Sequence, residues 1–207
     1  MNLQEDIQRI KKVMGIIIES TDKMQANDGS VVLVSDYVKN HIKDHNKFGS
    51  GSTFKEGITD DEILSYVSNV INNNELGEGG AFEIEVPGIG YDLVLPYEEA
   101  VNLDGAKETT TMKKEGKNDV VVPLIYTSQS SDDFTTDKLT LIIRKSNPQF
   151  LPDDVKEDSE VLELINQGKV YSLLTAFPGN PNIPRASEWG NKFAVVVPKK
   201  EKKNPLF

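Results

Sequence analysis

The second half of the chain is dominated by short runs of β-branched, aliphatic and aromatic residues, separated by polar turns. The run Phe82–Val86 alternates strictly between apolar and acidic residues, which is the pattern of a strand with one buried face. Strands and helices do not alternate regularly here, so we expect residues 80–198 to form one sheet dominated by antiparallel pairs. The predicted strands are Phe82–Val86, Tyr91–Leu95, Val120–Tyr126, Leu139–Ile143, Val170–Phe177 and Phe193–Val197.

Helical patterns lie mainly in the first third of the chain. Residues 1–24 carry apolar side chains at steps of three and four residues, which predicts an amphipathic helix. Ser35 is a good N-cap for a second helix over residues 36–46. Thr59 and Glu62 form a capping box before a third helix. The apolar residues of the first helix are Leu3, Ile7, Ile10, Met14 and Ile17.

The order of these patterns predicts an α+β fold in which N-terminal helices are followed by a mostly antiparallel β-sheet. We expect an N-terminal amphipathic helix over residues 1–24, which docks or packs, and an α+β domain over residues 30–198. A basic tail follows over residues 199–207. The helix that carries His41 is expected to pack against the sheet. A later helix is predicted over Ser159–Gln167, and loops over Gly105–Asn118 and Ser128–Asp137.

Composition excludes several classes of protein. The 207 residues contain no cysteine, which rules out disulfides, thiolate metal sites and a cysteine nucleophile. No apolar run approaches the roughly 20 residues that span a bilayer, and the first residues lack the basic-then-apolar order of a secretion signal. We therefore expect a cytoplasmic protein with no membrane partner. The net charge of -10 argues against sequence-independent nucleic-acid binding, which depends on neutralising phosphates.

The charge is uneven, and a basic island from Tyr37 to Lys55 contains both histidines of the chain. His41 and His45 are four residues apart, so a helix places both imidazoles on one face. Two imidazoles beside lysines can act as an acid and a base near neutral pH. They are alternatively polar residues of a solvated surface. A zinc site is a further alternative, but Ile42 replaces the glutamate of the His-Glu-x-x-His motif.

The segment Gly49–Thr53 is rich in glycine and hydroxyl groups and follows the paired histidines. Its amides and hydroxyls could hold a phosphate between His45 and Lys55. It lacks the Gly-Lys-Ser/Thr ending of a nucleotide-binding loop. The alternative interpretation of this segment is a flexible linker.

Polar residues near the end of the chain are further candidates for anion contacts. Thr175 lies at the end of a predicted strand, shortly before Pro178. Arg144 and Arg185 are the arginines of the sheet half, and either could clamp an anion. Trp189 is interpreted as an aromatic anchor that packs under a loop.

Two of these segments together resemble the barnase–EndoU–colicin–RelE group of metal-independent ribonucleases, which includes many bacterial and phage-borne toxin domains. They are "DYVKNHIKDHNKFGSGSTF" at residues 36–54 and "GKVYSLLTAFPG" at residues 168–179. In that group a helix with His-x-x-x-His precedes a Gly/Ser turn with Ser/Thr-x-Phe, and a late strand ends in Thr-x-Tyr/Phe-Pro. The corresponding residues here are His41, His45, Ser52, Thr53, Phe54, Thr175, Phe177 and Pro178.

The resemblance implies a ribonuclease that cleaves RNA by attack of the 2′-hydroxyl on the adjacent phosphate, without a metal or cofactor. It implies that His41 and His45 are the acid and the base, with Thr175 as the third member of the catalytic set. The implied substrate contacts, which hydrogen-bond the phosphate or offset its charge, are Ser52, Thr53, Lys55 and Arg144.

An alternative function is a non-catalytic structural or binding protein of a phage type, built on the same fold. The opening "NLQEDIQRIKKVMG", residues 2–15, looks like an N-terminal helix found in phage proteins. Its apolar stripe would then dock an inhibitor or a virion protein.

Overall fold

The computed structural model describes residues 21–44, 51–115, 117–180 and 192–199. Within these ranges the strands form a six-stranded sheet and a four-stranded sheet. The strands are β1 (Thr21–Gln25), β2 (Val31–Ser35), β3 (Thr53–Phe54), β4 (Gly79–Tyr91), β5 (Val94–Pro96), β6 (Lys107–Glu115), β7 (Asn118–Tyr126), β8 (Thr135–Lys145), β9 (Val170–Pro178) and β10 (Phe193–Val197). The larger sheet has the order β1-β2-β9-β8-β4-β3, and the smaller sheet has the order β5-β10-β7-β6.

The helices lie between strands along the chain. They are α1 (Asp36–Asp44), α2 (Asp60–Asn73), α3 (Tyr97–Ala100) and α4 (Ser159–Asn166), with short 3₁₀ turns at Ser131–Phe134 and Pro148–Phe150. The predicted capping box of α2 is confirmed: Thr59 and Glu62 each accept a hydrogen bond from the backbone of the other. The predicted later helix is also confirmed as α4, and Gly168 follows it with a positive φ of 67°.

The predicted order of N-terminal helices followed by a sheet is wrong. Two strands, β1 and β2, precede α1, and the other helices are scattered between later strands. Residues 21–24, predicted as the end of the first helix, form most of β1 because its backbone pairs antiparallel with β2. Residues 1–20 and 200–207, which carry the rest of the predicted helix and most of the basic tail, lie outside the described residues.

The prediction of one antiparallel-dominated sheet over residues 80–198 is also wrong, because these residues are divided between two sheets. Among the described strands, two pairs are parallel, β2 with β9 and β10 with β7, and each joins strands that are far apart in the sequence. The predicted loop over residues 105–118 contains β6, which pairs with β7 along its whole length. The sequence of β6 is mostly polar and does not predict a strand, because β6 is stabilised by its pairing with β7.

The main core lies between one face of the larger sheet and the helices α1 and α2. Leu141 and Ile143 of β8, Leu173 and Ala176 of β9, and α1 residues Val38 and Ile42 belong to one buried cluster. The predicted packing of the His41 helix against the sheet is therefore confirmed. On the other face, α4 and the segment before it cover β2 and the start of β9, with Val31, Leu33, Leu151, Val155, Val161 and Val170 buried together.

The smaller sheet has its own apolar centre. Ile125, Ala194 and Val196 pack with Ala100 of α3 and with Phe134 on one side. Among the residues that the structure describes, no helix has both the length and the apolar character of a membrane span.

We expect Leu141→Ala to lower the free energy of unfolding by about 2–5 kcal/mol, because it opens a cavity beneath both helices in a fully buried position. Leu174→Ala removes the same atoms from a half-exposed site on β9, and we expect a loss of less than about 1.5 kcal/mol. Urea unfolding of both variants measures the difference. Equal losses would contradict the assignment of Leu141 to the main core.

Candidate functional site

The exposed side of α1 carries His41 beside Tyr37. The two rings are stacked, with centroids 6.5 Å apart and an angle of 5° between their planes. Both side chains are exposed, because Val38 and Ile42 form the buried side of the same helix. His41 therefore shares one helix face with Tyr37. The predicted sharing of that face with His45 concerns a residue outside the described ranges.

Thr175 faces the opposite side of the larger sheet from α1. Its neighbour Ala176 belongs to the core cluster beneath α1, and successive residues of a strand point to opposite faces. Thr175 also pairs with Ile142, which lies between two residues of that same cluster. Both relations direct the Thr175 side chain away from His41. The sheet thus separates two members of the predicted catalytic set.

Arg144 does share a sheet face with Thr175. It lies two residues beyond Ile142 on β8, which is the strand partner of Thr175. Two residues span about 7 Å along a strand and return to the same face. Arg144 is exposed and Thr175 is half-buried. Two of the predicted anion contacts are therefore neighbours, on the side of the sheet that has no histidine among the described residues.

Ser52 and Thr53 are buried, so neither hydroxyl lies on an open surface. Ser52 is 3% exposed and Thr53 is 5% exposed. The Thr53 hydroxyl donates to the carbonyl of Gly51 at 3.1 Å, and the Ser52 hydroxyl donates to Asp92 at 3.2 Å. Lys55, the next predicted contact, is exposed. The structure thus uses two predicted phosphate contacts for internal hydrogen bonds.

The two motifs of the ribonuclease resemblance do meet in space. Phe54 pairs with Gly90 of β4, and Gly90 packs so closely between Thr53 and Pro178 that a methyl group there would overlap both. The helix α1 packs beside β9 in the same core. Arg185 and Trp189 lie outside the described residues.

A half-buried carboxylate, Asp92, lies between β4 of the larger sheet and β5 of the smaller sheet. Its Oδ1 atom accepts from the Ser52 hydroxyl at 3.2 Å and from the Val94 amide at 3.5 Å. Its Oδ2 atom accepts from the Asn180 amide at 3.1 Å. These bonds connect the start of β3, the start of β5 and the end of β9. We call Ser52, Asp92, Gly179 and Asn180 the Asp92 junction.

Burial raises the pKa of the Asp92 carboxyl above its ordinary value of 3.8, although the hydrogen bonds from Asn180, Val94 and Ser52 oppose the shift. Gly179 lies directly against this carboxylate. A Cβ atom at Gly179 would stand 2.5 Å from Cγ of Asp92, and the φ angle of +109° also favours glycine. Sequence reasoning missed the Asp92 junction, because its members come from three separate segments.

A second feature that the sequence did not predict is a cavity of about 310 Å³ between α1, the start of α2 and β1. Lys39 forms ion pairs there with Asp22 at 2.9 Å and Asp36 at 3.0 Å. Burial alone would lower the pKa of Lys39, but its hydrogen bonds and charge interactions with both carboxylates outweigh burial and raise it. The lining residues are Asp22, Lys39, Ile42, Asp60, Asp61 and Leu64.

In the described part of the chain, no three histidine, aspartate or glutamate side chains are grouped so that they could hold a metal ion. No protein-family model, curated protein or solved structure matches this chain. The resemblance to metal-independent ribonucleases therefore stays a prediction.

We expect the free energy of unfolding to depend on pH through the titration of Asp92. Because the pKa of Asp92 is raised in the folded state, its contribution to the free energy of unfolding is fully present below the ordinary pKa. That contribution is lost as pH rises through the folded pKa. Asp92→Asn removes this dependence. Urea unfolding from about pH 4 to about pH 7 should show the wild type losing stability relative to the variant.

Asp158→Asn provides the matched comparison. The hydrogen bond from Lys23 and those from the start of α4 lower the pKa of Asp158, so its contribution is present above the ordinary pKa and is lost as pH falls. The wild type should therefore gain stability relative to Asp158→Asn as pH rises. If the free energies of unfolding of the wild type and of Asp92→Asn change equally with pH, the expectation for Asp92 is contradicted.

We expect Gly179→Ala to destabilise the fold more than Gly57→Ala does. Both glycines have similar positive φ angles, +109° and +98°, but nothing lies within 4 Å of a Cβ atom at Gly57. The left-handed backbone costs about 1–2 kcal/mol at either position. Contact with Asp92 adds roughly 1–3 kcal/mol at Gly179. Denaturant midpoints measure both losses, and equal values would show that the contact with Asp92 relaxes freely.

Proposed function

We propose that the protein is a non-catalytic binding protein, whose polar centre at the Asp92 junction supports the fold instead of a reaction. The observation that carries this proposal is the placement of His41 and Thr175 on opposite sides of the larger sheet. The ribonuclease hypothesis needs the histidines and the phosphate contact Thr175 around one reacting centre. The sheet and its packed core lie between His41 and Thr175, so Thr175 cannot contact a phosphate that lies beside His41.

The burial of Ser52 and Thr53 supports the same proposal. A phosphate contact must offer its hydrogen-bond donor to the ligand, whereas these hydroxyls donate to Asp92 and to the Gly51 carbonyl. The net charge of -10 adds to this, because RNA binding in general depends on neutralising phosphates. We also propose that the protein acts in the cytoplasm and binds a protein partner of a phage type. The resemblance of residues 2–15 to phage helices supports that choice of partner.

Ribonuclease activity is the second candidate, and one observation favours it. His41 is exposed on α1 and stacks on Tyr37, so its imidazole is accessible to a substrate. In that case the acid, the base and the phosphate contacts would all have to lie on the α1 side of the larger sheet. Thr175 and Arg144 would then have no part in catalysis.

A cleavage assay separates the two candidates. The full chain is incubated with total cellular RNA and a chelator, and the products are compared with those of the His41→Ala, His45→Ala double variant. We expect no cleavage above buffer from either protein, because among the described residues Thr175 lies across the sheet from His41 and the hydroxyls of Ser52 and Thr53 are buried. A purified metal-independent ribonuclease serves as the positive control for the substrate.

Cleavage by the wild type that the double variant loses would contradict the proposal and support the ribonuclease. General acid–base catalysis is worth about 10²–10⁴-fold, so such a loss would be readily measured. Thr175→Val is the matched variant on the far side of the sheet. If the wild type is active and this variant keeps its activity, the active site lies on the α1 side alone.

A further inference from the structure

The strand β6 forms one edge of the four-stranded sheet. In the described part of the chain it pairs with β7 alone, in continuous register from Lys107 to Glu115 and without a bulge. It contains no proline. An edge strand directs alternate backbone N–H and C=O groups away from its sheet, where another strand can pair with them. Within the described ranges no second strand pairs with the outer side of β6, so this edge can accept an added strand.

The charges of β6 are complementary to those of a second copy of β6. Its sequence is Lys-Glu-Thr-Thr-Thr-Met-Lys-Lys-Glu, centred on Thr111. Antiparallel pairing of two copies about Thr111 places position 107, a lysine, opposite position 115, a glutamate. It also places Glu108 opposite position 114, a lysine. Opposite charges across a strand pair stabilise it, and like charges destabilise it.

Neighbouring registers lose this complementarity. Pairing about Thr110 places Lys107 opposite Lys113, which are like charges, and leaves Glu108 opposite Met112. Pairing about Met112 leaves every charged position opposite a threonine and removes residues 107 and 108 from the pair. Pairing about Thr111 also keeps all nine residues of the strand in the ladder. The charges therefore select one register.

An exposed apolar pair lies beside the same edge. Met112 of β6 and Val121 of β7 are cross-strand partners, 60% and 52% exposed. In the pair centred on Thr111, Met112 lies opposite Thr110 of the second copy. The two Met112 side chains become diagonal neighbours, about 7–8 Å apart and within reach of each other. Each is flanked by its own Val121, so pairing removes apolar surface from water.

We propose that the protein forms a twofold dimer in which β6 pairs antiparallel with β6 of a second copy about Thr111. The two four-stranded sheets join into one continuous sheet across the dimer. This inference stands apart from the proposed function, since it rests on β6 and not on the histidines or the Asp92 junction.

Sedimentation equilibrium of the full chain at about 0.15 M salt tests the proposal. The wild type should be a dimer that dissociates on dilution. Lys107→Glu places like charges at positions 107 and 115, twice in each dimer, and should raise the dissociation constant on the order of tenfold. Glu115→Lys should do the same. Lys117→Glu makes the same charge change outside β6 and should leave the constant unchanged.

Mixing the two variants gives the decisive measurement. An equal mixture of Lys107→Glu and Glu115→Lys should form a heterodimer about as tight as the wild-type dimer, because each substituted position then faces the opposite charge. Glu108→Lys and Lys114→Glu form a second such pair, which tests the register again if one variant of the first pair fails to melt cooperatively. A wild type that stays monomeric, or a mixture no tighter than the separate variants, would overturn the proposal.

Discussion

Alternate residues of β8 (Leu139, Leu141 and Ile143) are buried in the main core against α1 and α2, and their partners on β9 follow the same alternation on either side of a bulge at Leu174. The residues between them, Thr175 among them, face the other side of the sheet. The strand register fixes the face of the sheet on which each side chain lies, because a shift of one residue would expose the whole core face. The helix α1 must lie on the core side to bury Val38 and Ile42. His41 therefore stays on that side, while Thr175 faces away from it.

The Asp92 junction fixes the relative positions of the strand ends where the two sheets join. Removing a carboxylate from water is costly unless it is hydrogen-bonded, and here Ser52, Val94 and Asn180 all donate to the half-buried Asp92. The carboxylate can accept these bonds only if the starts of β3 and β5 and the end of β9 hold their relative positions. Gly179 then follows as a necessity, since a side chain there would displace Asp92. The polar centre of the protein is thus engaged in holding its own strands.

Local signals predicted the parts of the fold that depend on nearby residues. The capping box at Thr59 placed α2, and the apolar runs placed the strands β7 and β10. The strands β1 and β6 escaped prediction because both are polar, lie at sheet edges and gain their stability from a neighbouring strand. The division into two sheets escaped for a similar reason, since parallel pairs such as β2 with β9 join segments that are distant along the chain.

The same distinction applies to the candidate site. The four-residue spacing of Tyr37 and His41 was enough to place them on one helix face, because helical geometry depends only on local spacing. The burial of Ser52, the partners of Asp92 and the face on which Thr175 lies depend on which strands pair and in what register. Sequence alone therefore determined the local elements and the chemistry that each could offer. Tertiary structure decided which of those groups could meet, because side-chain direction in a sheet follows from long-range pairing.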